Sequence, residues 1–119
     1  MTISPGKYNL FVYQGATLSK TVTWKDENGA LVNLTGYTAQ LQMRVTVDAA
    51  TPFLTLTTSN GGITLGGAAG TINLLASASA TSAIQATQGL YALEMTAPDG
   101  VTITRLLEGI VFMLPEVTR

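Results

Sequence analysis

Residues 37 to 47 alternate without a break: Tyr37, Ala39, Leu41, Met43, Val45 and Val47 share one parity, and Thr38, Gln40, Gln42, Arg44 and Thr46 share the other. A period of two sends successive side chains to opposite faces of an extended strand, whereas a helix would scatter these apolar residues around its whole circumference. The segment predicts a strand with one face on a core and the other in water. Trp24, Tyr37, Leu41, Met43, Val45 and Leu93 are the expected core residues.

The same chemistry recurs along the chain, with threonine filling many polar positions. Tyr8 to Tyr13 (YNLFVY) and Thr17 to Trp24 (TLSKTVTW) are β-rich runs separated by Gln14-Gly15-Ala16. Lys25-Asp26-Glu27-Asn28-Gly29 reads as a hairpin turn, because Asn-Gly readily takes positive φ values. Phe53 to Thr57, Ile63 to Leu65 and Thr71 to Leu75 are shorter runs divided by glycine-rich turns. Ala76 to Ala86 breaks the period, and its small residues predict one helical turn near residues 79–87, with Ser79 or Thr81 as N-cap and Gly89 as its end. Alternation then resumes through Tyr91, Leu93 and Met95, and Pro98-Asp99-Gly100 turns into a long last strand, Val101 to Leu114. Val101 and Ile103 have the opposite parity to Leu106, Ile110, Phe112 and Leu114, so a bulge between Arg105 and Gly109 is expected to bring them to a common face.

Short strands at this spacing in a 119-residue chain predict a single all-β domain over residues 1–119, an antiparallel immunoglobulin-like β-sandwich of about seven to nine strands with one short helical crossover. Gly89-Leu90-Tyr91-Ala92-Leu93 has the outline of a tyrosine corner, in which a tyrosine two residues before a core position bonds back to upstream backbone; Gly89 and Tyr91 are its candidates, against a plain strand tyrosine.

The composition bears on function mainly by what it lacks. There is no histidine and no cysteine, which removes the commonest general base, the thiol nucleophile and the disulfide. Asp26 and Glu27 sit in a turn, Glu94, Asp99, Glu108 and Glu116 stand singly, and no Ser-x-x-Lys frame activates a hydroxyl. No catalytic, metal or cofactor site is therefore expected. Gly61-Gly62 and Gly66-Gly67 lack the Gly-Lys-Ser/Thr of a phosphate loop. Six basic residues, scattered, against seven acidic ones do not suit a nucleic-acid binder, and no apolar run is long enough to span a membrane. The start, MTISPGKY, does not read as an export signal.

Charged residues make up 11% of the chain, where about 25% is usual. The deficit is concentrated: residues 49 to 93 carry no charge at all. Such a segment suits burial against another protein, because charge is depleted from the cores of interfaces, although Thr, Ser, Asn and Gln also keep a surface soluble. Tyr8, Leu10, Phe11 and Tyr13 mark a second candidate contact: the run is apolar on both parities, as befits either an edge strand open to β-augmentation or a strand covered on both faces.

Gln14-Gly15-Ala16-Thr17, Trp24-Lys25-Asp26-Glu27-Asn28-Gly29 and Val32-Asn33-Leu34-Thr35-Gly36-Tyr37-Thr38-Ala39-Gln40-Leu41-Gln42-Met43-Arg44 together resemble small structural proteins of tailed bacteriophages. The likeness continues through Gly70-Thr71-Ile72-Asn73-Leu74, Gly89 to Glu94 and Pro115 to Arg119, and is similar, more distantly, to the N-terminal domain of phage baseplate upper proteins. The resemblance implies a β-sandwich in the virion, assembled in the host bacterial cytoplasm, that docks on tail, neck or capsid subunits as an oligomer or symmetric ring. A tail, baseplate or neck adaptor, a capsid decoration protein and a carbohydrate-binding module for host attachment all remain open.

Overall fold

The computed structural model describes residues 6–115. Nine strands run β1 (Gly6–Lys7), β2 (Leu10–Tyr13), β3 (Leu18–Thr23), β4 (Thr38–Arg44), β5 (Leu54–Thr57), β6 (Ile63–Leu65), β7 (Thr71–Ala76), β8 (Gln88–Thr96) and β9 (Ile103–Leu114), with α1 (Ala78–Ser82) between β7 and β8. They form a larger sheet in the order β1-β9-β8-β4-β5, with β2 also on β9, and a smaller one in the order β3-β7-β6. Two sheets with this order and α1 crossing between them make the expected immunoglobulin-like sandwich. One pairing departs from expectation: β1 and β2 run parallel to β9, so the larger sheet is mixed.

The core lies between the sheets. Leu41 and Met43 of β4, Leu93 and Met95 of β8, and Val111 of β9 face Val22 of β3 and Ile72 and Leu74 of β7, all fully buried. Trp24 and Tyr37 are half-buried at the rim, where their rings meet edge-on at 5.9 Å. Val45 is not core: β4 ends at Arg44, the chain turns through Thr46–Ala49, and Val45 and Val47 stand 57% and 78% exposed. The alternation of residues 37 to 47 thus outlasts β4: β5 stops at Leu54 opposite Met43, and β8, although it runs on to Gln88, pairs with β4 only as far as Leu90.

β9 carries the expected bulge. Leu93 pairs with Leu107 and Glu94 with Arg105, which leaves Leu106 as the extra residue. Its consequence reverses the expected faces: Leu106, Leu107, Val111 and Met113 are buried, and Ile110, Phe112 and Leu114 join Ile103 on the outer face.

Local chemistry sets the turns. Asp26 closes the β3 hairpin by accepting the Asn28 and Ala30 N–H groups at 2.9 Å, and only Gly29 in that turn has positive φ (82°), so Asn28 is not in the conformation expected of it. Asn33 accepts from the Thr35 N–H and hydroxyl at 3.0 and 2.7 Å, an Asx turn that drops Leu34 into the core. α1 is capped by Ser77, whose hydroxyl accepts from the Ala80 N–H at 3.1 Å, and it ends at Ser82, well before Gly89, which lies inside β8. Thr81, the buried polar side chain of that helix, donates to the Ala16 carbonyl at 2.8 Å and accepts from Gly15 N–H at 3.1 Å, tying the crossover to the β2–β3 turn.

Two substitutions on one strand line separate the true end of the core. Met43→Ala should destabilise by about 2–5 kcal/mol, as buried truncations do, while Val45→Thr should change stability by less than about 0.5 kcal/mol. Chemical denaturation of both variants checks this; a large loss at Val45 would contradict its exposure.

Candidate functional site

The outer face of the larger sheet gathers most of the charge that the strands carry. The register fixes its layout in rows across the strands. Lys7, Glu108, Ala92 and Gln42 form a central row; Arg105, Glu94 and Gln40 form the row on one side. On the other side come Ile110, Leu90 and Arg44, then Phe11, Phe112 and Gln88, then Tyr13 and Leu114. Because Ala92 is short and its neighbours are long, the face dips over it into an open depression of about 630 Å³.

Arg105 bridges Glu94 and Glu108, both at 3.4 Å, and hydrogen bonding, to Glu108 first, holds its pKa above the ordinary arginine value. All three are solvent-exposed, so the network orders the face more than it stabilises the fold. Arg44 is held differently. Its Nη1 donates to the Ala49 carbonyl at 2.6 Å and its Nη2 to Gln42 Oε1 at 3.0 Å, with no described carboxylate in ion-pair range. Among the described residues no three acidic side chains converge as a metal ion would require, and no helix is long and apolar enough to cross a membrane.

Beside the depression runs an apolar strip. Phe11 is 50% and Tyr13 63% exposed, and the Phe11 ring stacks on Phe112 at 5.3 Å between centroids and 19° between planes. The expected edge-strand residues therefore divide. Phe11 and Tyr13 point outward, and Tyr8 is exposed at the break between β1 and β2, but Leu10 is buried with Val12 and offers no side chain to a partner. β2 is an edge strand with an alternating face, not a run covered on both sides. Phe112, Leu114 and Arg44 belong to this surface and were not legible as such. The first two depend on where the bulge falls, and Arg44 looked like one more polar residue on a wet strand face.

Tyr91 is buried, and its hydroxyl donates to the main-chain carbonyl of Tyr8. The bond does run back to upstream backbone, but to the first strand segment 83 residues away, which it fastens to the sheet from inside. The same spot forces a glycine, since a Cβ on Gly109 would overlap the Tyr8 backbone. Gly89, the other corner candidate, is accounted for by packing, because a Cβ there would come within 2.8 Å of the Phe53 ring.

The uncharged segment has three fates. Part of it supplies core and crossover; part, Gln88, Leu90 and Ala92, lies on the outer face of the larger sheet; and part makes the outer face of the smaller sheet, where Thr21, Thr23, Thr64, Thr71 and Asn73 alternate with buried residues and Thr21 bonds Asn73 at 3.2 Å. Leu75 is the large apolar side chain exposed on that face.

No protein-family model matches the chain, and no curated protein matches it. Solved structures that resemble the fold include two at 12% identity. One is the N-terminal domain of phage TP901-1 ORF48, at 12% identity and TM-score 0.46, over 93% of this chain and 98% of that one. The other is a chain solved in work on the multimeric cell-adhesive interactions of VGSC beta subunits, at 12% identity and TM-score 0.47, over 94% and 93%. Neither likeness bears on function.

Burial, and after it the neighbouring Tyr8 side chain, pushes the Tyr91 pKa up to about 12. A phenol whose folded pKa lies above its unfolded value near 10 supports the fold fully below pH 10 and loses that support as pH rises towards 12. Tyr91→Phe should cost about 1–3 kcal/mol at neutral pH by removing the buried hydroxyl's bond to the Tyr8 carbonyl. The stability gap between wild type and variant should hold constant to pH 10 and then narrow. Denaturant titrations across pH 7–11.5 test this, and a gap that widens above pH 10 would count against a buried neutral phenol.

Proposed function

We propose that this chain is a non-enzymatic structural subunit of a tailed-phage virion, a docking module that joins other virion proteins through the outer face of its larger sheet. The observation that carries the reading is the outward-facing strip of Phe11 and Tyr13, both exposed, with the half-buried Phe112 and Leu114, contiguous with the edge of β2 that no described strand pairs. Aromatic side chains of this kind on a strand face are what interface cores use, and an edge strand lets a partner add main-chain hydrogen bonds to them. The string of turn and strand motifs that resembles small tailed-phage structural proteins supports the virion setting. It favours a tail, baseplate or neck adaptor, working as an oligomer or ring, over a capsid decoration role.

A sugar-binding role has less support. Phe11 and Phe112 stack on one another, so the faces they share are not offered to a pyranose ring. Shell and tail differ in copy number, which gives a direct test of the finer reading: quantitative mass spectrometry of purified particles should find about six to a few dozen copies for a ring or fibre, and hundreds for a decoration.

Phe11→Lys should leave a folded protein, because the site is half exposed and surface changes usually cost less than about 0.5 kcal/mol. The variant should fail to incorporate into particles. Incorporation at the wild-type level would rule out this strip as the contact.

A further inference from the structure

A guanidinium fixed in place without a counter-ion, beside apolar side chains, is a surface waiting for an anion. Arg44 meets that description. Its side chain is anchored by Gln42 and by the Ala49 carbonyl, which leaves most of its N–H donors unused. The rest of the depression is balanced: Arg105 holds Glu94 and Glu108, and Lys7 stands next to Glu108 across the β1–β9 pairing. Among the described residues no carboxylate lies in ion-pair range of Arg44, and Leu90 and then Ile110 follow it along its row.

We propose that the depression receives a carboxylate side chain from a different, neighbouring subunit, seated on the Arg44 guanidinium while apolar groups beside that carboxylate cover Leu90 and Ile110. The inference rests on the virion reading above and names the chemistry of the partner. Charge complementarity selects an acidic partner. A planar fork with its orientation already set favours bidentate carboxylate recognition, because little side-chain freedom is lost on binding. Arginine is also among the residue types that concentrate binding energy at protein interfaces. A second copy of this chain is the other occupant to be told apart. Its Glu94 and Glu108 are engaged with Arg105, and its Asp26 and Asp99 accept from N–H groups of their own turns, but its Glu27 and Asp48 are exposed turn carboxylates, so the oligomeric state is part of the test.

The test uses particles of the source phage that lack this chain, mixed with the purified protein. Wild type should bind, and its retention should fall as salt is added, because the pair at Arg44 is partly screened. Arg44→Glu should melt as wild type does yet lose on the order of 10-fold or more in affinity. Lys20→Glu makes the same charge change on the smaller sheet and should bind normally. If Arg44→Glu folds poorly, Arg44→Gln carries the comparison, with weaker binding and a shallower salt dependence expected. Equal binding and equal salt response in the Arg44 variants would overturn the proposal while leaving the virion role intact. Absence of the chain from purified wild-type particles would instead overturn the virion role. A wild-type dimer that Arg44→Glu converts to monomer, with particle binding unchanged, would assign the site to self-association and overturn the acidic partner.

Discussion

One extra residue in β9 decides both what this domain buries and what it displays. Before Leu106 the strand's even positions face the core; after it the odd ones do, so Leu107, Val111 and Met113 pack inward and Ile110, Phe112 and Leu114 turn out. A strand of twelve residues without that bulge would have to bury the second set and expose the first. The core would then be built around a phenylalanine in place of valine and methionine, and the Phe11–Phe112 stack on the surface could not form. The outer strip is thus a by-product of the same irregularity that lets Leu106 and Leu107 both be buried.

β9 also has to hold the first strand segments, and it does so through parallel pairing, which is slightly weaker per residue than antiparallel. Three other contacts reinforce that edge. The Tyr91 hydroxyl reaches the Tyr8 carbonyl, the absence of a side chain at Gly109 lets the Tyr8 backbone approach, and Leu10 and Val12 are buried beneath the sheet. At the far end, Gln14 donates to the Ile84 carbonyl at 2.9 Å and Thr81 grips Gly15 and Ala16, so β2 cannot slide without disturbing the crossover. The edge that carries the exposed aromatics is consequently well ordered, and ordering before binding lowers the entropic cost of docking.

Much of the sandwich could be read from period-two patterns alone. Leu41, Met43 and Leu93 were assignable to the core because burial follows parity wherever neighbouring strands persist on both sides. Val45 was not, since parity says nothing about where a partner strand stops. The crossover's position was clear from its small residues, but its cap was not: Ser77, Ser79 and Thr81 are chemically similar, and only the backbone direction at Ser77 selects it. The outer face was the least legible. It depends on the bulge for Phe112, on parallel pairing for Phe11, and on the identity of row neighbours for Arg44, and all three are long-range relations that local sequence does not encode.

The low charge remains to be explained by geometry. Sheets need protection at their edges more than on their faces, because an open edge offers unpaired N–H and C=O groups to any passing strand. Here three of the four edges are short or broken: β5 has four residues, β6 three, and the first edge is interrupted between Lys7 and Leu10. The long edge that no described strand pairs is β3, and it carries Lys20, the one charge on the described strands outside the depression. With edges limited by length, the outer face of the smaller sheet can stay soluble on threonine and asparagine hydroxyls and amides. The strands' remaining charges are then free to collect on the larger sheet, where Lys7, Arg44, Glu94, Arg105 and Glu108 surround Ala92. Among the described residues sparse charge is therefore a matter of placement: one residue guards an edge, several mark turns, and the rest define a single face.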